Sequence, residues 1–240
     1  MDFSEASMTH LQCPERAHRI LDAAAGLLLH WGYKRVTIDD IAKQTNIGAG
    51  TIYLHWKTKE ALFEAVMLRE AVVVWRTLLA EIRADPEAAL LHRLMQIHFL
   101  VTRQRPLARA LFMGDAKLLG KLAQGSLMKT AQGLVPSETF VGLLRDWGLL
   151  RTDMPLAVQT YAFAATVTGF SLIEPFLEGQ ESCSLEEKAE ALAQTIRQAF
   201  EPEALPEPAA LQEQIAPRLI HLLEQVCQAC EAQIQARMIS

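Results

Sequence analysis

The sequence predicts an all-α protein in which a small N-terminal head of three helices precedes a larger helical domain. Apolar residues recur along most of the chain at the three- and four-residue spacing of amphipathic helices. The 240 residues contain only 12 glycines and 10 prolines, alanine and leucine are abundant, and β-branched runs are scarce. This composition favours helix over sheet, so we expect almost no strand.

Charge is distributed unevenly along the chain. The formal net charge of −5 argues at first against nucleic acid, because affinity for DNA comes largely from Lys and Arg on phosphates. Between Trp31 and Lys59, however, five Lys or Arg residues stand against two Asp residues, an excess of three positive charges. We therefore expect a basic head on an acidic protein.

The head begins with a predicted helix over residues 16–31, which follows a flexible arm expected over residues 1–15. Its apolar positions step by three and four residues, and Gly32 ends it. Thr37 then precedes the next apolar positions, with Asp40 three residues later. This spacing predicts a capping box at the start of a second helix that runs to about Thr45.

A tight turn follows at Asn46-Ile47-Gly48, since Asn and Gly tolerate the backbone conformations that a sharp corner requires. A third short helix extends to about Trp56. Thr58 is predicted to cap a long fourth helix that continues toward Ile82. Asp85-Pro86 ends that helix.

Proline separates most of the later segments. Pro217 is expected to kink the last of them or to divide it. The predicted helices are 87–104, 107–132, 137–151, 155–178, 184–201 and 207–237.

The uncharged residues 154–173 form a stretch long enough to cross a bilayer. The stretch contains Gln159 and several hydroxyl side chains, and Asp153 and Glu174 bracket it. A helix buried in a core or a subunit interface explains it better. The N-terminus has acidic residues and no apolar signal segment, so we expect a cytoplasmic protein without membrane contact.

Four scattered cysteines fit a reducing compartment better than a disulfide scaffold. Cys227 and Cys230 form a Cys-x-x-Cys pair, but neither a second pair nor a suitably spaced His accompanies it. Packing of two small apolar residues explains the pair better than a zinc or redox site. We predict no metal site and no cofactor.

Two short helices joined by a glycine-containing turn, with a helix on either side, describe a helix-turn-helix. In such a unit the second helix, here residues 48–56, enters the major groove of DNA. Small residues at its start let the backbone approach DNA closely. The methyl groups of Ala49 and Thr51 can then meet thymine methyl groups.

The head resembles the DNA-binding domain of the tetracycline-repressor (TetR) family over about residues 16–66, a specific pattern that spans four helices with their caps. The matching residues are Ile20, Ala23, Ala24, Gly32, Thr37, Ile38, Ile41, Ala42, Asn46-Ile47-Gly48-Ala49-Gly50-Thr51-Ile52-Tyr53, His55-Trp56-Lys57-Thr58-Lys59-Glu60 and Leu62. The resemblance implies a DNA-binding domain over residues 16–60. It further implies a ligand-binding and dimerisation domain over residues 61–240, with an extra C-terminal helix at about 207–237.

The resemblance implies that eight residues contact double-stranded DNA. They are Thr37 at a phosphate, Gly48, Ala49, Gly50 and Thr51 in the groove, Tyr53 and His55 at the DNA backbone, and Lys59 at a phosphate beside the start of the fourth helix. Capping alone also accounts for Thr37, and core packing accounts for Trp56. Many relatives carry a polar and a basic residue in place of Gly48 and Ala49, so we expect shape or apolar readout to matter more here.

For the larger domain, the resemblance implies a homodimer in which helices 155–178 and 184–201 pair with their copies. Two-fold symmetry would then place two heads on half-sites about 34–36 Å apart. The helix at 207–237 adds to this interface or covers the regulatory domain.

The resemblance also implies a pocket for a small-molecule effector among the middle helices. We expect a mostly apolar effector, because pockets between helices are mostly apolar. Methionine and aromatic residues at helical spacing are candidates for the wall, although they are also ordinary core residues. The candidates are Met95, Phe99, Phe112, Met113, Phe140, Trp147, Tyr161 and Phe163.

The sequence thus predicts a DNA-binding transcriptional regulator, most simply a repressor that an effector releases from its operator by moving the fourth helix. An enzyme is not predicted, because we find no catalytic motif among the scattered histidines and carboxylates. The alternative is a helical protein-interaction bundle. Such a bundle, however, would have no need of a small-residue helix flanked by Tyr53, His55 and Lys59.

Overall fold

The computed structural model describes residues 3–124, 137–173, 176–177 and 183–238, with the side chains of residues 3–14 and 124 left aside. Within these residues the regular structure is helical and contains no strand. The predicted all-α class is therefore confirmed. None of the described helices has the length and apolar character needed to span a membrane.

Four helices make up the N-terminal part of the chain: α1 (Phe3–Arg35), α2 (Ile38–Thr45), α3 (Ala49–His55) and α4 (Lys59–Ala84). A flexible arm is expected over residues 1–15, but in the structure α1 begins at Phe3. The segment contains the helix-favouring residues Ala6, Met8, Leu11 and Gln12, and no glycine interrupts it. Gly32, at φ +72°, departs from helical geometry inside α1, as its predicted role as a breaker requires.

Shorter helices follow α4. They are a 3₁₀ turn (Pro86–Ala89), α5 (Leu91–Gln104), α6 (Pro106–Met113), α7 (Ala116–Leu119), a 3₁₀ turn (Gly120–Gln124), α8 (Glu138–Asp146), α9 (Leu156–Leu172), α10 (Leu185–Phe200), α11 (Pro208–Ala210), a π-helical turn (Leu211–Ile215) and α12 (Ala216–Arg237).

The single helix predicted over residues 107–132 is wrong. The chain leaves helical geometry at Gly114, φ +63°, and again at Gly120, φ +57°. Between them Asp115 caps α7 by accepting hydrogen bonds from the N–H groups of Lys117 and Leu118, at 2.9 and 3.0 Å. Residues 125–132 of the prediction lie outside the described part of the chain.

The predicted irregularity at Pro217 takes the form of the π-helical turn that precedes it. The N–H of Ala216 donates to the carbonyl of Leu211, five residues back. A proline lacks the N–H of a regular helix, and its ring crowds the carbonyl four residues earlier. The wider π turn accommodates that conflict, and α12 continues without a break.

The chain divides into two compact units: unit 1 is Met1–Val72, Ala110–Ala131 and Ala229–Ser240, and unit 2 is Val73–Arg109 and Gln132–Gln228. The boundary predicted between residues 60 and 61 does not coincide with this division. The reason is that the long helices α4 and α12 each contribute residues to both units.

The core of unit 1 joins the apolar faces of α1 to α4. Its fully buried side chains include Ile20, Leu28, Ile41, Ile52, Trp56, Leu62 and Phe63. Each such side chain contributes about 1.5–3 kcal/mol relative to an exposed one. This core fixes α3 against α2 and α4.

The segment from α7 to Gly120 packs closely on the end of α1. A Cβ atom at Gly120 would lie 3.2 Å from Cδ1 of Tyr33, and one at Gly32 would lie 3.6 Å from the carbonyl oxygen of Leu118. Both glycines also hold a positive φ that other residues rarely adopt. The close approach of these two stretches of backbone therefore depends on glycine on both sides.

In unit 2, α5 and α10 pack along each other. The buried carboxylate of Glu201, just beyond α10, accepts a hydrogen bond from the N–H of His92 at the start of α5, at 2.8 Å. Its other oxygen lies 2.8 Å from Nδ1 of the same histidine. Glu201 thus satisfies an N–H in the first turn of α5 that has no partner within its own helix.

A second buried histidine, His98 on α5, places its ring 6.3 Å from the ring of Trp75. Burial lowers the pKa of His98 from 6.5 to about 4. In the unfolded chain the same group takes up a proton below about pH 6.5. The unfolded state therefore binds more protons as the pH falls, and stability present above pH 6.5 is lost progressively toward pH 4.

We predict that lowering the pH from 7 to 4.5 removes about 2–3 kcal/mol of unfolding free energy through His98 alone. Urea denaturation of the wild type and of His98→Leu at both pH values measures this contribution. The variant should lose less stability over the same interval. His221→Leu, at an exposed position of α12, is the matched control and should behave as the wild type. An equal loss in the His98→Leu variant would contradict the prediction.

Candidate nucleic-acid interface

A capping box fixes the start of α2 and confirms the predicted one. Oγ1 of Thr37 accepts a hydrogen bond from the N–H of Asp40 at 3.2 Å, and Oδ2 of Asp40 accepts one from the N–H of Thr37 at 2.9 Å. The hydrogen bonds from the side chain and backbone of Thr37 lower the pKa of Asp40. The N–H groups of Ile38 and Asp39, in the first turn of α2, have no partner within the helix.

The turn between α2 and α3 uses one left-handed residue, Asn46, at φ 54°. The N–H of Ile47 donates to the carbonyl of Ala42 at 3.1 Å and closes the end of α2. Arg19 of α1 donates to the carbonyl of Thr45 at 3.0 Å and holds the same end. The angle between α2 and α3 is therefore fixed from both sides.

Two glycines of the predicted groove-facing set are not required by the fold. Neither Gly48 nor Gly50 has a positive φ. A Cβ atom at Gly50 would meet nothing within 4 Å, and one at Gly48 would meet only Oγ1 of Thr51, at 3.9 Å. The space in front of α3 is thus open, and the small size of these residues leaves room for a molecule outside the chain.

The outer face of α3 carries Gly50, Tyr53 and Leu54, at the three- and four-residue spacing of one helical side. Tyr53 is 48% exposed and Leu54 is 70% exposed, whereas Ala49 and Thr51 are half-buried. The sequence predicted a DNA contact for Tyr53 but none for Leu54. Its position four residues after Gly50 was the available signal.

His55 differs from its predicted place at the DNA backbone. Its side chain is only 7% exposed, and its ring lies 5.5 Å from the ring of Trp56. His55 follows the buried Ile52 by three residues and therefore shares its inward face. Burial and the nearby charge of Arg16 lower the pKa of His55, which favours the neutral ring.

Lys59 has a partner inside the head. Its Nζ donates to the carbonyl of Tyr33 at 2.6 Å and lies 4.4 Å from the centre of the Tyr33 ring. Burial lowers the pKa of Lys59, the charge of Lys121 lowers it further, and Asp40 opposes the shift. The predicted cap of α4 is present beside it, since Oγ1 of Thr58 accepts from the N–H of Ala61 at 3.1 Å. Lys59 therefore anchors α4, whatever it contributes to a phosphate.

Four exposed cations lie on the elements of the head. Lys34 and Arg35 end α1, Lys43 lies in the last turn of α2, and Lys57 follows α3; all four are exposed. Such side chains attract a polyanion at long range and contact phosphates directly. The head thus combines a short uncharged helix that begins with small residues and exposed cations on the neighbouring elements.

Unit 2 encloses a small apolar cavity of about 10 Å³, room for about one water molecule. Only Met95 and Phe140 of the eight predicted pocket residues line it. The full lining is Trp75, Leu78, Leu94, Met95, Phe140, Leu222, Leu223 and Val226. The C-terminal helix α12 supplies three of these residues and so covers one side of the cavity.

The other predicted pocket residues are dispersed. Phe163 is buried against Phe200, with ring centres 5.8 Å apart, and Phe99 is buried without lining the cavity. Tyr161 is 77% exposed on α9. The sequence did not predict this exposure, because a helix without charges gives no signal for its outer side. The remaining three are half-buried: Trp147 in unit 2, and Phe112 and Met113 in unit 1.

Buried Cys227 and Cys230 lie on α12, as the packing interpretation requires. Within the described ranges, no group of three or more His, Cys, Asp or Glu side chains is arranged to hold a metal ion.

Within the head, α2 and α3 form a helix-turn-helix unit. Known proteins are similar to this part of the chain. Residues 20–66 match the family model for bacterial regulatory proteins of the tetR family. The HTH-type transcriptional regulator YhgD of Bacillus subtilis, itself uncharacterised, is 37% identical over 76 residues, which are 32% of this chain and 36% of that protein. The A-factor receptor protein of Streptomyces griseus is 38% identical over 48 residues, 20% of this chain and 17% of that one.

The chain spans about a third of the length of the first of these relatives. Solved structures extend the likeness of the fold. A transcriptional regulator from Saccharomonospora viridis, crystallised with choline, has a TM-score of 0.58 at 21% identity, over 79% of this chain and 100% of that one. FadR from Bacillus subtilis, in complex with stearoyl-CoA, has a TM-score of 0.57 at 14% identity, over 75% and 96%.

Within the described residues, the fold is all-α and α2 and α3 form a helix-turn-helix unit. Over residues 20–66 the chain is similar to bacterial regulatory proteins of the tetR family, as the residues of its head predicted. This likeness of the head agrees with the sequence-based choice of a regulator over an enzyme.

Lys59→Met should lower the free energy of unfolding by about 1–2 kcal/mol, because a charge-assisted hydrogen bond to Tyr33 is lost. Lys57→Met, two residues earlier and exposed, should leave stability unchanged. Chemical denaturation of both variants checks the difference. Equal stability of the two would show that the Lys59 contact does not hold α4.

Proposed function

We propose that this chain is a DNA-binding transcriptional regulator, most simply a repressor that a small apolar effector releases from its operator. The observation that carries the proposal is the open space before α3. The packing of the head does not require glycine at positions 48 and 50. The exposed Tyr53 lies beside them. A major groove fits a helix with this profile, and exposed cations elsewhere on the head suit phosphates. Its target in the chromosome would place the protein in the cytoplasm.

The predicted DNA contacts are refined by this geometry. Gly48, Ala49, Gly50 and Thr51 remain groove-facing candidates, and Tyr53 remains a candidate for the DNA backbone. Exposed Lys43 and Lys57 join them as phosphate contacts. The start of α2 offers its N–H groups, while Thr37 keeps its capping role.

We further propose a homodimer that pairs α9 and α10 with their copies. The outer side of α9 presents an apolar stripe at helical spacing, including Val158, Tyr161 and Leu172. Apolar stripes of this kind on a charge-free helix are typical of subunit interfaces. A two-fold axis beside them would let two heads meet two half-sites.

The effector site in this proposal is the apolar cavity of unit 2. Ligand pockets usually have about 300–1,000 Å³, so an effector must displace part of the wall. The lining has no charged side chain, which favours an uncharged apolar compound. Trp75 and Leu78 belong to α4, whose first turns carry Leu62 and Phe63 of the head core. A ligand that prefers the open cavity would therefore shift α4 and weaken DNA binding.

We predict specific binding to one DNA fragment near the gene for this chain, weakened by salt because phosphate contacts release counterions. Tyr53→Ala and Lys57→Ala should each weaken binding at least severalfold. Titration of labelled fragments at two salt concentrations measures both effects. Arg218→Ala, at an exposed position of α12, is the control and should bind as the wild type.

If no nearby fragment binds, genome-wide selection of sites with the purified protein is the next test. Failure of a folded protein in both experiments would overturn the regulator and leave the helical interaction bundle. Equal losses in the Tyr53, Lys57 and Arg218 variants would instead show that binding does not pass through α3.

Filling the cavity should separate effector response from DNA binding. Leu222 is half-buried in the cavity wall, and Leu222→Phe would add volume there. We expect DNA affinity within about twofold of the wild type and at least a tenfold higher effector concentration for release. Screening uncharged apolar compounds for operator release provides the effector.

His221→Phe adds an aromatic ring at the adjacent exposed position and should keep the wild-type response. Release of Leu222→Phe at the wild-type effector concentration would place the effector site elsewhere.

A further inference from the structure

We infer that Leu54 reads thymine methyl groups in the operator. This inference rests on the proposed DNA-binding function and goes beyond it, because it names a side chain that selects sequence and the chemical group that it selects. It follows from what α3 presents to solvent and from what α3 lacks.

Leu54 is an exposed leucine that the fold does not use. It is 70% exposed, more than Tyr53 beside it, and it projects from the same side of α3 as Gly50. Burial of such a side chain at an interface removes apolar surface from water. In the proposed function this face of α3 meets DNA, so Leu54 is buried in the major groove.

α3 contains none of the side chains that read bases by paired hydrogen bonds. Ala49–His55 includes no Lys, Arg, Asn, Gln, Asp or Glu, and its one imidazole, His55, is buried. Guanine, adenine and cytosine edges are recognised mainly by those side chains. The thymine 5-methyl group is the one major-groove feature that an apolar side chain recognises.

The position of Leu54 relative to the glycines strengthens this assignment. Gly50 lies one helical turn earlier on the same side, and a Cβ atom there would meet no atom of the chain within 4 Å. With no side chain at that turn, the backbone of α3 can lie deep in the groove. A leucine one turn later then reaches the base edges rather than the phosphates.

The test uses the operator found by site selection, as synthetic duplexes in which single thymidines are replaced by deoxyuridine. This change removes one methyl group and leaves base pairing intact. The proteins are the wild type, Leu54→Ala and Leu29→Ala; Leu29 is an exposed leucine on α1 and serves as the matched control. Affinities are measured for every protein and duplex, which gives a double-mutant cycle at each thymidine.

At one or more thymidines in each half-site, we expect the wild type and Leu29→Ala to lose about fourfold in affinity on removal of the methyl group, as one buried methyl predicts. Leu54→Ala should bind the unmodified operator more weakly and lose no further affinity at those thymidines. Because Leu54 is highly exposed in the free protein, Leu54→Ala should stay folded. Circular dichroism checks this.

Two results would overturn the inference. If wild-type affinity is unchanged by deoxyuridine at every position, α3 reads no methyl group, although the DNA-binding proposal survives. If the same thymidines remain sensitive in Leu54→Ala, another side chain reads them, and Leu54 contacts sugars or a different partner. Absence of any specific DNA binding would overturn this inference together with the proposed function.

Discussion

The head depends on one ammonium group placed where three segments of the chain meet. Lys59 begins α4, donates to the carbonyl of Tyr33 near the end of α1, and lies over the Tyr33 ring. Next to it, Glu60 forms an ion pair with Lys121 from the segment after α7. The position of α4 is thus set by contacts with both α1 and the α7 segment. Any displacement of α4 must change these contacts.

Local rules were enough to predict the elements of the head. Thr37 and Asp40 form their capping box within four residues, and Asn46 takes the left-handed conformation within a single turn. These features depend on neighbours in sequence, so the sequence contains all the information needed. The later helices follow fewer local signals. Gly114 and Gly120 break a predicted helix through positive φ values, which residue propensity alone does not reveal.

The candidate site could be predicted only in part, because exposure is a tertiary property. His55 and Leu54 are neighbours, yet the structure buries the first and exposes the second. Likewise Phe140 lines the cavity while Tyr161 lies on the surface, although both are aromatic residues on helices. A pattern of residue types identifies which side chains matter, but the packing partners of each helix decide which way they face.

The π-helical turn of Leu211–Ile215 keeps the buried residues of the C-terminal segment on one side. From Leu211 to Cys227 a buried residue occurs at every fourth position, and in a regular α-helix such a series drifts by about 40° at each step. A π turn is wider than an α turn and rotates the series back. The extra residue therefore keeps Leu211 and Leu223 in phase on one buried side. Loss of a single residue here would leave the composition of the helix almost unchanged and would still turn its apolar side away from the core, so this segment tolerates substitution better than deletion.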